Sequence, residues 1–320
     1  MLLHRLTARP ALTAATATTL ACVLIVSGCE HARTAPRDTA RVTQGPDTTT
    51  PAPSGETSTW ASDIGPALLV QGATSDEAIV LGPLDADSLV SVLRSLAAEH
   101  PAVQLFGRGG TKILAQLGAP SDKQEEDCTT WLVQEPNGAP GTVQGWSIGF
   151  LNKSVQPVSL DSVDILSSRD SMTLVAEATR LASGVTAPSG PAFQGLRFTV
   201  HDIRRFEAAP GVQALAAHLI RHVNQEANPQ EEQTLLIAER DSGATTGAYH
   251  LVYSERTSGL EDQVTTPEVI GASLVDGRVW LVVARDNDSG ISYVIVERQP
   301  GHPAPGQWHV RWVSKPTNCS

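Results

Sequence analysis

Short runs of apolar residues, many of them alternating with polar residues, recur along the chain and predict β-strands. Clusters of Gly, Pro, Asn and Asp separate the runs, as in an antiparallel sheet whose strands follow one another in order. The predicted strands cover residues 67–70, 78–81, 103–106, 112–117, 129–134, 146–151, 196–203, 233–239, 248–254, 269–275, 279–285, 291–297 and 308–313.

Three other segments have the period of an amphipathic helix. The first covers 87–99, with Asp87 as its N-cap and Pro101 after its end, and the second covers 171–181. The third covers 211–227 and carries a stripe of apolar residues. The stripe consists of Val212, Leu215, Ala216, Leu219, Ile220 and Val223.

Strands and helices together predict an α+β fold, mostly antiparallel β-sheet with about three helices, in one integrated domain over residues 60–320. The order strand, helix and several strands occurs twice, which suggests a duplicated unit with halves 60–165 and 166–320. Tryptophans on the predicted strands are candidates either for the core or for a sugar-binding or peptide-binding surface. They are Trp131, Trp146, Trp280, Trp308 and Trp312.

The amino terminus has a different pattern. His4, Arg5 and Arg9 form a basic head, and residues 11–28 carry no charge, which is the arrangement of a signal peptide. The uncharged run ends at Val26-Ser27-Gly28-Cys29, which resembles the lipobox of bacterial lipoproteins.

This resemblance implies export, cleavage after Gly28, diacylglyceryl transfer to the Cys29 sulfur and often a further chain such as palmitate on the new amino terminus. Each buried methylene contributes roughly 0.8 kcal/mol, so two or three chains hold a protein that one would release. The alternatives are an uncleaved membrane helix and an ordinary signal peptide cut elsewhere. In Gram-negative lipoproteins an Asp directly after the lipidated cysteine resembles an inner-membrane retention signal. This chain has Glu30 at that position, and the absence of the signal favours the outer membrane of a Gram-negative cell and exposure to the periplasm.

Residues 30–59 are rich in Ala, Thr, Pro, Ser and Gly, and we expect a flexible tether with a root-mean-square reach of about 30 Å. The chain has a net charge of −11, and the mature chain is more acidic still because Arg5 and Arg9 leave with residues 1–28. Nucleic acid and anionic lipid surfaces are therefore poor candidates as partners, since both require a cationic face.

Two cysteines remain for the mature domain, Cys128 and Cys319, because Cys22 lies in the leader and Cys29 in the anchor. In an oxidising compartment we expect them to form a disulfide, which would constrain the unfolded chain by about 4–5 kcal/mol. Two buried thiols or a metal pair are the alternatives. No CxxC spacing or Cys/His cluster supports the metal.

Residues 145–149 match the G-x-S-x-G nucleophile elbow of α/β-hydrolases, with Ser147 at the nucleophile position. Asp161 or Asp164 and then His201 follow in the chain order of a triad. A loop precedes the motif and no helix can follow it, so a plain strand is the alternative. On that strand three apolar side chains would lie on one face, those of Trp146, Ile148 and Phe150.

His218 and His222 lie four residues apart on the third predicted helix, with Glu226 one turn further, and this spacing suits a metal ion. A zincin would have its general base beside the first histidine, where this chain has Leu219. A polar flank beside the apolar stripe is the alternative.

Residues 286–290 are similar to a calcium loop, with Asp286 and Asp288 as ligands and Glu297 at the twelfth position. The glycine stands one position too early for an EF-hand, and the flanking strands favour a hairpin turn. The glycine-rich residues 106–112 also favour a hairpin turn over a phosphate loop, because Lys112 begins a strand and not a helix.

Three classes of function remain. The favoured one is a non-enzymatic, membrane-tethered binding or assembly module that needs no cofactor and contacts an envelope protein or a cell-wall polymer. One alternative is an envelope hydrolase that uses Ser147 or an unrecognised set of carboxylates. The other is a calcium- or metal-dependent extracytoplasmic domain that uses Asp286 and Asp288 or the two histidines.

Overall fold

The computed structural model describes residues 67–82, 86–121, 129–136, 143–151, 155–186, 189–223, 228–241, 247–299 and 305–319. All of them belong to one unit, Thr49–Ser320. The signal peptide, the lipobox with Cys29, the tether, Cys128 and Glu226 lie outside the described residues. No helix among the described residues is long and apolar enough to cross a membrane.

The first six strands close into an antiparallel barrel in the order β1-β2-β5-β4-β3-β6. Alternate side chains such as Leu105, Trp131 and Trp146 fill its interior, and Leu93 and Ala97 of helix α1 (Ala86–Ala97) pack against the same cluster. The strands are β1 (Leu68–Gln71), β2 (Glu77–Leu81), β3 (Ala102–Phe106), β4 (Lys112–Pro120), β5 (Thr130–Gln134) and β6 (Ile148–Leu151).

The rest of the chain forms two five-stranded antiparallel sheets. The helix-side sheet has the order β12-β11-β10-β9-β8 and the barrel-side sheet has the order β16-β15-β14-β13-β7. Their strands are β7 (Gln156–Pro157), β8 (Asp161–Ser162), β9 (Thr199–Ala209), β10 (Val212–Val223), β11 (Gln230–Asp241), β12 (His250–Leu260), β13 (Thr266–Val275), β14 (Arg278–Asn287), β15 (Gly290–Arg298) and β16 (Trp308–Val313).

These elements stack in four layers because the apolar side chains lie on both faces of each sheet. Helix α2 (Ser168–Ser183) covers the outer face of the helix-side sheet. The two sheets share an apolar core that includes Phe206, Ile237 and Leu281. The other face of the barrel-side sheet packs on the outside of the barrel.

The prediction of an α+β fold with about three helices is wrong. The described ranges contain two α-helices, α1 and α2, and most of the other described residues lie in antiparallel strands. The duplicated unit is also wrong, because residues 68–151 close into a barrel whereas residues 156–313 form two open sheets.

The third predicted helix is strand β10. A helical stripe was expected at 211–227, but both faces of β10 are buried, one in the sandwich core and one under α2. A strand buried on both faces is apolar at most positions, so it loses the two-residue period and can show a three-to-four-residue period by coincidence.

The other elements lie close to their predicted places. Helices at 87–99 and 171–181 are confirmed as α1 and α2, and the hairpin expected at 106–112 is confirmed between β3 and β4. The five tryptophans, for which the sequence left a place in the core or on a binding surface open, are all buried. They are Trp131, Trp146, Trp280, Trp308 and Trp312.

Candidate ligand-binding cleft

An open cleft of ≈ 600 Å³ lies where residues 157–161 separate from the edge of β9. Strand β8 pairs only with Arg204 and Arg205, and none of the described strands pairs with β9 between Phe206 and Ala209 on that side. The departing segment forms one wall of the cleft and the β9 edge forms the other.

The wall at 157–161 is held in place by two neighbours. The Val158 backbone N–H donates to the Ala272 carbonyl of β13 at 3.1 Å, and the Leu160 N–H donates to the Arg108 carbonyl at 2.7 Å. Gly110 has a φ of +77°, and a Cβ there would lie 3.3 Å from the Ser159 Cβ. The glycine-rich hairpin of the barrel therefore acts as a support for the cleft wall.

Two tight hairpins bound the cleft at its end. Pro210 and Gly211 link β9 to β10, and the Gly211 φ of 75° at the second position suits a type II turn. Asp276 and Gly277 link β13 to β14 and both have positive φ, as a type I′ turn requires.

The deep part of the cleft is apolar. Phe206 and Val212 reach it from the helix-side sheet, and Leu274 and Val279 reach it from the barrel-side sheet. All four also belong to, or pack against, the core between the two sheets. This surface can accept an apolar side chain of a ligand at the mouth of the sandwich.

The rim carries charges of alternating sign. Asp161 and Arg205 are cross-strand neighbours on β8 and β9, and Glu207 lies two residues further along β9. The Ser159 hydroxyl donates to Asp161 Oδ1 at 2.6 Å, whereas Arg205 Nη2 lies 4.0 Å from Asp161 Oδ2. That ion pair is too long for a hydrogen bond.

Gln213, which lines the cleft, is linked to two residues outside it, Arg240 and Tyr249. Gln213 lines the cleft and accepts a hydrogen bond from Arg240 Nη2 at 2.8 Å, and the Arg240 guanidinium lies 4.7 Å from the centre of the Tyr249 ring. Tyr249 is only 3% exposed, and its hydroxyl has no hydrogen-bond partner in the part of the chain that the structure describes. Burial raises the pKa of Tyr249, and the charges of Arg240 and Arg205 lower it in part.

Chemically, this arrangement can bind a ligand that has both donors and acceptors. Arg205 offers a cation, Asp161 and Glu207 offer acceptors, and the apolar end accepts hydrophobic surface. Ser159 supplies a hydroxyl, but its proton is directed at Asp161, and none of the described residues that line the cleft is a histidine.

The proposed hydrolase residues lie apart from one another. Ser147 precedes β6 in the barrel, and its hydroxyl donates to the Phe106 carbonyl at 3.4 Å. His201 is in the helix-side sheet, where its ring contacts the ring of His218, and Asp164 accepts a hydrogen bond from Ser162. Trp146 points into the barrel while Ile148 and Phe150 point outward, so the three do not share one face.

His218 and His222 lie on one face of β10 but have different partners. The His218 ring shares a hydrogen bond with the Gln233 side chain, and His222 Nδ1 lies 2.9 Å from Glu231 Oε2. Burial lowers the pKa of His218 to about 4 despite the hydrogen bond to Gln233. Within the described ranges, no group of three or more His, Cys, Asp or Glu side chains is arranged to hold a metal.

The calcium-like residues form the hairpin turn between β14 and β15. The Asn287 Oδ1 accepts hydrogen bonds from the Ser289 N–H at 2.9 Å and from its hydroxyl. Glu297 lies at the other end of β15, where it pairs in register with Trp280 and accepts a hydrogen bond from its indole at 2.7 Å. It is therefore far from Asp286 and Asp288.

Cys319 is buried against the core between the barrel and the barrel-side sheet. Its expected partner, Cys128, lies outside the described residues, so the Cys128–Cys319 disulfide stays a prediction.

Sequence reasoning missed the cleft residues Arg205 and Glu207. They carry opposite charges two positions apart, which is the spacing of side chains on one face of a strand. The β9 strand had been expected to end at residue 203, so both residues fell in a predicted loop.

Comparison with known proteins found no family model, no curated protein and no solved structure that matches this chain.

Proposed function

We propose that this protein is a lipid-anchored, non-enzymatic binding module of the bacterial cell envelope and that it holds its ligand in the cleft beside β9. The membrane contact is made through acyl chains on Cys29. The ligand belongs to an envelope protein or to a cell-wall polymer.

The observation that carries the proposal is the construction of the cleft. An unpaired stretch of sheet edge, a rim of alternating charge and an apolar end meet in one volume of ≈ 600 Å³. Volumes of this size, with an apolar surface and a few placed polar groups, are usual for ligand sites.

The tether adds a second support. A coil with a reach of about 30 Å allows an anchored domain to sample the space around its anchor point, and anchoring raises the local concentration of any partner that is fixed in the same envelope. This arrangement suits a binding module whose partner does not diffuse freely.

The test is chemical cross-linking in intact cells, followed by purification and mass spectrometry. Three variants are compared with the wild type: Cys29→Ala removes the anchor, Ala209→Trp fills the cleft, and Ala119→Trp places the same bulk on an exposed position of β4. We expect an envelope partner or a wall fragment with the wild type and with Ala119→Trp, and its loss with the other two.

Recovery of the same partner with Ala209→Trp would show that the cleft is not the binding site. Recovery with Cys29→Ala at the wild-type level would show that anchoring is not needed. Circular dichroism of each purified variant checks that the fold is retained.

A further inference from the structure

We infer that the ligand of the cleft is an extended peptide that ends in a free carboxylate, and that Arg205 binds this carboxylate. This inference rests on the proposed function, because it names the ligand class of the same site.

Arg205 differs from the arginines around it. Its neighbour Arg204 donates to Asp202 at 2.9 Å, and Arg240 donates to Gln213 at 2.8 Å. Arg205 donates no hydrogen bond to the described chain, and the acid that it pairs with among the described residues, Asp161, lies 4.0 Å away. Its side chain is 31% exposed and lines the cleft, so its planar set of N–H donors is available to a carboxylate in the two-bond geometry that arginine favours.

The β9 edge indicates that the rest of the ligand is a peptide. Backbone N–H and C=O groups along an unpaired strand edge recognise another extended backbone, and side chains at alternate positions then enter pockets on the two sides. Here β8 pairs with only two residues of β9, and three of the next four residues, Phe206, Glu207 and Ala209, line the cleft. Phe206 and Val279 supply an apolar pocket for one ligand side chain.

The charge balance favours a carboxylate over a phosphate. Asp161 and Glu207 flank Arg205 on the same rim, and these two acids repel a doubly charged group more strongly than a singly charged one. The same acids can accept hydrogen bonds from the N–H groups of a peptide.

The experiment is affinity selection on the mature full-length protein in detergent. The probes are two libraries of acetylated pentapeptides with five randomised positions, identical except that one ends in free carboxylates and the other in amides. We expect the carboxylate library to be enriched at least tenfold over the amide library, the ratio that a charge-assisted hydrogen bond gives.

One variant and one control assign the effect. Arg205→Gln should reduce the preference for the carboxylate library to less than twofold. Arg94→Gln, on the exposed side of α1, should keep the wild-type preference. Thermal unfolding of each variant checks that the fold is intact.

Equal enrichment of both libraries would overturn the carboxylate assignment and leave the cleft as a peptide site. A preference that survives in Arg205→Gln would overturn the role of Arg205. Displacement of the peptides by inorganic phosphate would show a general anion site. Failure to enrich either library, while the cross-linked partner is still lost in Ala209→Trp, would overturn the peptide inference and leave the proposed function standing.

Discussion

At the scale of single residues, the close approach of the barrel to the barrel-side sheet depends on Gly271. A Cβ at this position would lie 2.6 Å from Ile148 Cδ1 and 2.9 Å from its Cγ2, and Ile148 is fully buried. Such an overlap forces the packed side chain out of its place.

We predict that Gly271→Ala lowers the free energy of unfolding by about 1–3 kcal/mol, the usual cost of excess volume in a packed core. The measurement is urea denaturation followed by circular dichroism. Gly259→Ala is the matched control, because a Cβ there meets nothing within 4 Å, and it should change stability by no more than about 0.5 kcal/mol. Equal effects of the two substitutions would show that the contact at Ile148 is not tight.

His218 should make stability depend on pH. The folded chain keeps its imidazole neutral down to a pKa of about 4, whereas the unfolded chain takes up a proton below the ordinary value of 6.5. The unfolded state therefore binds more protons between these two values, and stability falls as the pH falls from 6.5 towards 4, by about 3 kcal/mol across the window.

Urea denaturation at several pH values between 7.5 and 4.5 checks this dependence. His218→Gln should flatten the dependence, and His250→Gln, at an exposed position, should leave it unchanged. An unchanged slope in His218→Gln would mean that other groups cause the acid destabilisation.

Residue types alone gave the core as one of two places for the five tryptophans, and the other place was a binding surface. They did not reveal the burial of Tyr249 or the cleft beside Arg205. The position of Tyr249 between α2 and the helix-side sheet, and the gap beside Arg205, follow from long-range pairing that a single sequence does not reveal.

At the scale of elements, sequence patterns located most strands and both helices but failed at β10. The period of apolar residues reports which faces are buried, and it identifies an element only when one face is exposed. Strand β10 is covered on both faces, so Leu215 and Ala216, for example, are both buried although they point in opposite directions.

Strands of the two sheets are also joined by a buried carboxylate. Glu239 of β11 is fully buried and accepts hydrogen bonds from Arg298 Nε at 2.8 Å, the Gly306 N–H at 2.6 Å and the Trp308 indole at 2.6 Å. Arg298 and Trp308 lie on β15 and β16, so this group connects the helix-side sheet to the barrel-side sheet.

We predict that Glu239→Gln lowers the free energy of unfolding by about 3–5 kcal/mol, because the Arg298 charge loses its partner and an amide N–H₂ is turned towards donors. Denaturant unfolding measures the loss. Glu261→Gln, at an exposed position, should change stability little. A loss of less than about 1 kcal/mol in Glu239→Gln would contradict the connecting role.

At the scale of the whole molecule, α2, the two sheets and the barrel stack as four layers. The disulfide expected from the sequence would tie the last residues to the region of Cys128. We predict that the denatured, unreduced mature protein has no titratable thiol. Cys319→Ser and Cys128→Ser should each lower stability by about 4 kcal/mol and by the same amount, since both remove one bridge. Two reactive thiols in the wild type would contradict the pairing.

The central claim is that the cleft beside β9 is where the anchored protein meets its partner. Site-specific photo-cross-linking in intact cells tests it most directly, with benzoylphenylalanine introduced once for Ala209 in the cleft and once for Ala119 on the exposed face of β4. The account predicts a discrete adduct from position 209 that is absent from position 119. No adduct at 209, or the same adduct from both positions, would contradict it.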